Sequence, residues 1–187
     1  MKVIFLDFDG IVCHKQYQPN HIDGVIDQLD PTCVARIVTT CYLTNSKIAI
    51  HSTWAYVFSP EYIIQKLKDA GMDTDKYLHK DWLCTSSSHD KCAAIQTWLL
   101  AHPDVTNHVI IDDDMIEMNH QVLVVSGWTD GGFKDKHIKD VVKALNPAEP
   151  GIGYKIKCTS CGRPTFTDTG LCLKCESKAG RIERGEK

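Results

Sequence analysis

Short apolar runs alternating with amphipathic stretches predict an α/β protein, a three-layer sandwich around a mostly parallel sheet. Three observations carry this expectation. The runs Val3–Leu6, Lys47–Ile50, Val109–Ile111 and Val122–Val125 are nearly continuous in apolar character, as expected of strands covered on both faces. The stretches between them have helical caps and helical periodicity. Polar clusters (Asp7 and Asp9, Ser52 and Thr53, Asp112 and Asp113) directly follow three of the runs, at the carboxyl ends of strands where open α/β sheets bind ligands.

In chain order, Val3–Leu6 is the first strand, closed by the turn signal at Gly10. A polar, turn-rich stretch from His14 to Asp30 follows. Asp30 caps a helix that begins at Pro31 and turns Cys33, Ile37, Val38, Cys41 and Tyr42 inward, until Asn45-Ser46 breaks it. The second strand, Lys47–Ile50, runs into His51-Ser52-Thr53-Trp54. Ser59-Pro60 opens another helix with Tyr62, Ile63, Leu67 and Ala70 inward, ended by Gly71. Tyr77–Cys84 fits either a short strand or an irregular connector. Asp90–Ala101 is an amphipathic helix with Cys92, Ile95, Trp98 and Leu99 on one side, followed by Pro103. Val109–Ile111 leads into Asp112-Asp113-Asp114, Val122–Val125 is a further strand, and Asp135–Leu145 a final helix. Pro147 and Pro150-Gly151 mark a boundary between a domain over 1–149 and an appendage over 150–187.

The 187 residues, 43% hydrophobic and 24% charged, have an ordinary globular composition. No apolar run approaches the roughly 20 residues of a membrane span. With no basic leader or cleavage signal, Met1 reads as the start of a cytoplasmic protein. Cys13, Cys33, Cys41, Cys84 and Cys92 are scattered, whereas Cys158, Cys161, Cys172 and Cys175 form two Cys-x-x-Cys pairs. That division suggests a reducing compartment and one metal site instead of a disulfide framework. Residues 1–150 carry a net −7 and residues 151–187 a net +4, so the tail, not the body, is the part suited to a polyanion.

Residues 7 and 9, one apart at a strand end, place two carboxylates together. They repel unless a cation or a shared proton compensates them. Phosphoryl transfer uses this arrangement: one carboxylate attacks phosphorus, one carries a proton, and Mg2+ holds both. An acidic turn closing a strand has the same residues, and Asp112–Asp114 can likewise cap a helix. A turn cap is the competing reading of Ser52. Lys91 at a helix start has the wrong sign for the helix dipole, which favours a role in a site. Neutral surface histidines are the expectation for His14, His51 and His89.

Asp7-Phe-Asp9-Gly10, a Ser or Thr after Ile48–Ile50, Lys91 opening a helix and Asp112-Asp113 after a strand resemble, in order, the four motifs of the haloacid dehalogenase (HAD) superfamily. The resemblance spans roughly residues 1–145 and implies a Rossmann-like, HAD-like fold. Ser52-Thr-Trp54, Lys91 with Ile95 and Trp98, and Ile110-Ile-Asp112-Asp113-Asp114 resemble the small phosphatase domains of RNA-repair proteins, related to the phosphatase half of polynucleotide kinase-phosphatases. The resemblance implies that Asp7 is the nucleophile and Asp9 the general acid and base. It implies Mg2+ on the Asp7 carboxylate, the Asp9 carbonyl and Asp112 or Asp113, with Ser52 or Thr53 on a phosphoryl oxygen and Lys91 neutralising charge. Glu117, four residues after Asp113, is a candidate to orient a metal ligand. Ala55 stands where such relatives carry Arg, a departure that bears on substrate and not on reaction. No long insertion separates the motifs, so the domain is expected to be capless and open to a phosphate at a chain end.

Cys158-x2-Cys161-x10-Cys172-x2-Cys175 has the spacing of a structural zinc ribbon, whose four thiolates leave no open position for catalysis. So short a segment buries no core, and Zn2+ supplies its folding energy. Lys155, Lys157, Arg163, Lys174, Lys178, Arg181 and Arg184 suit it to nucleic acid, although a purely stabilising or dimerising cap has the same composition. The expected function is a Mg2+-dependent phosphatase on a nucleic-acid end or nucleotide. A small-molecule (nucleoside monophosphate) phosphatase and a non-catalytic nucleic-acid-binding protein are the alternatives.

Overall fold

The computed structural model describes residues 1–17 and 27–146, together with the backbone of 156–157 and 164–165. The chain divides into two compact units, Met1–Asn146 and Pro147–Lys187. Within the first, strands β1 (Lys2–Leu6), β2 (Ser46–Ile50), β3 (Leu78–Leu83), β4 (Asn107–Asp112) and β5 (Gln121–Leu123) form one sheet in the order β3-β2-β1-β4-β5. Every pairing is parallel. This is a Rossmann-like α/β sheet. The chain moves outward from β1 through β2 to β3, then crosses to β4 on the other side, so the switch in direction falls beside β1.

Alternation along the strands divides the core into two layers. Ile4, Leu6, Ile48, Ile50, Val109 and Ile111 face the helices α1 (Pro31–Thr44), α3 (Pro60–Asp69) and α7 (Asp135–Leu145). Val3, Phe5, Ala49 and Ile110 face α5 (Lys91–Ala101) through Ala94, Ile95 and Trp98. Phe5 meets Trp98 edge-on at 5.3 Å, a contact worth about 0.5–1.5 kcal/mol beyond its buried area. Three single-turn helices complete the unit: α2 (Trp54–Val57), α4 (Thr74–Tyr77) and α6 (Gly127–Asp130). Among the described residues no separately folded insertion lies between the motif-bearing strands.

The caps form as local chemistry dictates. Asp30 accepts the Thr32 amide and Ser59 the Tyr62 amide, each with Pro at the first helical position. Asp90 accepts the amides of Cys92 and Ala93, so it is the cap of α5 and Lys91 the first residue inside. The Tyr77–Cys84 stretch is a true strand, β3, at the sheet edge, with exposed Lys80 and Asp81 on it. Charges on an edge strand deter pairing with another chain. Two apolar assignments are corrected. Tyr42 is 74% exposed and Val125 68% exposed. Tyr42 lies at the margin of the α1 stripe, and β5 ends at Leu123, before Val125. No helix of the described residues is long and apolar enough to cross a membrane.

In the second unit, β6 (Ile156–Lys157) and β7 (Pro164–Thr165) pair antiparallel. Cys158, Cys161, Cys172 and Cys175 lie outside the described residues.

Candidate active site

Register brings the polar strand ends together. Leu6 is paired with Ile50 on one side and Ile111 on the other, so the next residues, His51, Asp7 and Asp112, stand abreast across β2, β1 and β4. The ladder continues into them: the His51 amide donates to Leu6 O at 3.2 Å and the Asp7 amide to Ile111 O at 3.0 Å. Asp7 and Asp112 are buried, at 3% and 0% exposure. Two carboxylates at that depth need a cation. Lys91 reaches across from the start of α5, its ammonium 3.1 Å from Asp7 Oδ2 and 2.8 Å from Asp112 Oδ2. Burial works against the ammonium, but Asp7 and Asp112 outweigh it and hold its pKa above the ordinary lysine value.

Oxygen atoms of Asp7, Asp112 and Asp113 lie within 4.8 Å of one another. Three carboxylates share one ammonium, and the buried Asp7 Oδ1 has no hydrogen-bond partner among the described residues. An all-oxygen set with an orphaned buried oxygen fits a hard divalent cation such as Mg2+. Asp112 has Oδ2 on Lys91 and Oδ1 on the Asp114 amide, 2.8 Å away. Burial first, then the charge of Asp7, pushes its carboxyl up to about 6. Asp113, half-buried, is raised by burial, by Asp7 and by Asp114.

The loop after β1 is tight. Phe8 O accepts the amides of Ile11, Val12 and Cys13, and Gly10 turns the chain at φ +70°. Phe8 is buried edge-on against Trp54, at 5.1 Å. The Trp54 indole N–H donates to Asp9 Oδ1 at 3.2 Å. Burial raises the Asp9 pKa, the Trp54 hydrogen bond lowers it, and Asp7 raises it again, leaving it above the ordinary aspartate value. Ser52 is fully buried and its Oγ accepts the Trp54 amide at 3.4 Å, whereas Thr53 is exposed.

Lys91, Asp7 and Asp112 are thus in direct contact, Asp113 is beside them, and Asp9 is held from the Trp54 side. The histidine expectation is corrected at two positions. His14 and His51 are buried, at 3% and 2% exposure, and His89 is exposed. His51 Nδ1 lies 3.6 Å from Asp112 Oδ2. Burial, opposed by the charge of Asp7, pushes its pKa down to about 4, so it is neutral at pH 7. Glu117 is exposed and lines a surface cleft with Gln96, His108 and Met118, outside the carboxylate group. Sequence reasoning gave no role to the Trp54 indole or to His51. Their places one residue before and two residues after Ser52 are the available signal.

Neither the curated proteins nor the solved structures yield a match to the chain. The family described as the HAD domain in Swiss Army Knife RNA repair proteins matches residues 3–138, well over half the chain. The five-stranded parallel sheet and the four motifs in their order agree with that match, and the chain belongs to this family of HAD domains.

Proposed function

We propose that the protein is a Mg2+-dependent HAD phosphatase that works through an aspartyl-phosphate on Asp7 and removes phosphate from a nucleic-acid end. The observation that carries this reading is the buried Asp7 carboxylate, with one oxygen on Lys91 and the other without a partner among the described residues. Asp7, the Asp9 backbone carbonyl and Asp113 hold Mg2+. Asp112 orients Lys91, since both of its oxygens are already engaged. When bound, Mg2+ offsets the negative charge of the carboxylates and of the phosphoryl group.

Asp7 attacks phosphorus as the ester P–O bond breaks, and the leaving oxygen takes the proton of Asp9. The raised pKa of Asp9 keeps that proton available. Asp9, now a carboxylate, takes a proton from water, whose oxygen attacks phosphorus. The bond to Asp7 then breaks, releasing phosphate. Lys91 stabilises the charge on Asp7 and on the phosphoryl oxygens. Ser52 accepts the Trp54 amide and keeps its hydroxyl proton to donate to a phosphoryl oxygen. Exposed Thr53 is the second candidate for that bond.

The nucleic-acid substrate rests on the RNA-repair context of the family and on the basic appendage. Cys158, Cys161, Cys172 and Cys175 hold a structural Zn2+ there, and the antiparallel pairing of the strands that flank Cys158 and Cys161 supports a ribbon. Five scattered cysteines beside two Cys-x-x-Cys pairs suit a reducing, cytoplasmic setting better than a disulfide framework.

The test is phosphate release from 3′- and 5′-phosphorylated oligonucleotides and from mononucleotides, with Mg2+ or with chelator. The wild type is expected to act on an oligonucleotide end only with Mg2+, and Asp7→Asn to lose at least about a thousandfold. Activity that survives Asp7→Asn removes the covalent mechanism. Turnover of mononucleotides alone favours the small-molecule reading. Binding of nucleic acid without any turnover favours a scaffold.

A further inference from the structure

His14, Asp30 and Cys33 form a second cluster of chemistry-bearing side chains, separate from the carboxylates. His14 follows the Asp7–Cys13 loop, Asp30 caps α1, and Cys33 is in the first turn of α1. Three atoms converge. His14 Nε2 is 3.0 Å from Asp30 Oδ2, Cys33 Sγ is 3.5 Å from the same oxygen, and Sγ is 3.8 Å from Nε2. Tetrahedral zinc, with bonds of about 2.0–2.2 Å to N and O and about 2.3 Å to S, sets ligand–ligand edges of about 3.3 Å for N···O and about 3.6 Å for the pairs with sulfur. The observed triangle is close to one face of that tetrahedron.

The surroundings suit a metal ligand set. Asp30 Oδ1 accepts the Thr32 amide at 2.7 Å, which turns Oδ2 inward and fixes it, as hydrogen-bonded partners do for metal carboxylates. The Cys33 thiol also lies 3.7 and 3.5 Å from the carbonyl oxygens of Gly131 and Phe133, the second of which accepts from Arg36 Nη1 at 3.2 Å. Gly132 packs against the trio: a Cβ there would stand 2.4 Å from Ile11 O, 2.9 Å from His14 Cδ2 and 3.1 Å from Cys33 Sγ. The other histidine cluster, His79, Asp81 and His102, has no such arrangement, because His79 Nδ1 already accepts the Asp81 amide at 3.0 Å.

We propose that His14 Nε2, Asp30 Oδ2 and Cys33 Sγ bind one structural Zn2+ that ties the Asp7–Cys13 loop to the start of α1 and to the 131–133 turn. The mixed N, O and S donors select zinc over magnesium. Uptake releases the thiol proton of Cys33 to solvent and leaves the imidazole neutral, with its proton on Nδ1. The position of His14, five residues after Asp9, gives this ion a mechanical role in holding the loop that carries both Asp7 and Asp9.

Native mass spectrometry of the zinc-loaded full chain tests the site. Cys33→Ser and Asp30→Asn are each expected to carry one zinc fewer than the wild type, whatever the C-terminal cysteines bind. A second measurement does not depend on the folding of either variant. The full-length chain with Cys158, Cys161, Cys172 and Cys175 all changed to Ser is loaded with Co2+. A near-ultraviolet thiolate-to-cobalt absorption that saturates at one equivalent, and that Zn2+ removes, supports the site. Equal zinc counts in the wild type and Cys33→Ser, or no thiolate–cobalt absorption in the four-serine chain, would reduce the trio to buried hydrogen bonds and overturn the proposal.

Discussion

The carboxylate of Asp113 occupies the space that a side chain on residue 10 would need: a Cβ built on Gly10 would stand 2.0 Å from Asp113 Oδ2. Gly10 also holds φ +70°. Gly10→Ala is therefore expected to lose about 1–2 kcal/mol from the left-handed backbone alone, and to displace Asp113 as well. Apparent Mg2+ affinity in the phosphatase assay should weaken at least about tenfold, a loss of about 1.4 kcal/mol. Chemical denaturation and a Mg2+ titration measure the two effects. An unchanged Mg2+ dependence would remove Asp113 from the metal site.

Lys91 is the cation shared by Asp7 and Asp112, so Lys91→Met should cost both stability and rate. Breaking a buried pair costs about 3–5 kcal/mol, and the 21% exposure of the Lys91 side chain puts the expected loss at or below the low end. The rate should fall about 10²–10³-fold. Adding Asp112→Asn to Lys91→Met removes one stranded charge. The double variant should regain stability in chelator without regaining activity. A double variant no more stable than Lys91→Met would show that the pair is not coupled.

The pH dependence of stability without metal should tilt in opposite directions in two variants. Asp112, raised to about 6 from 3.8, favours folding while protonated, a contribution complete below about pH 4 and lost as pH rises through about 6. His51, lowered to about 4 from 6.5, contributes stability that is present above about pH 6.5 and lost as pH falls towards 4. Relative to the wild type, Asp112→Asn should make stability rise more steeply with pH across this window, and His51→Asn should make it rise less or fall. Denaturant midpoints in chelator from pH 4 to 7 measure both. Parallel profiles in the two variants would contradict the assignments.

Trp54 holds Asp9 through one hydrogen bond, which lowers a pKa that burial and Asp7 raise. Trp54→Phe keeps the ring against Phe8 and removes the donor. If Asp9 is the general acid, the alkaline fall in kcat/KM should move to higher pH in Trp54→Phe and vanish in Asp9→Asn. A limb that stays in place in both variants assigns the acid to another group.

Much of this architecture is local and therefore readable in sequence. Asp30-Pro31, Ser59-Pro60 and Asp90-Lys91 set their helix starts through bonds to amides two or three residues away. The apolar runs fix where β1, β2 and β4 lie, and the motif order points to phosphoryl transfer. Tyr77–Cys84 stayed ambiguous because its charged residues suit only an edge, and an edge is defined by neighbours. Tyr42 has a largely apolar ring at helical spacing, yet among the described residues no element covers it and it is 74% exposed.

By itself the sequence determined the α/β class, the element starts and the candidate residues at the strand ends. Tertiary structure alone decided which of them meet. Lys91 and Asp7 are 84 positions apart, and only the order β2-β1-β4, with its register, brings His51, Asp7 and Asp112 abreast and Lys91 over them. The same holds for the burial of His14 and His51, and for the different depths of the neighbours Asp112 and Asp113. Charge pairing and desolvation depend on distance and depth, which arise when the chain packs, whereas caps and apolar periodicity are set by the nearest few residues.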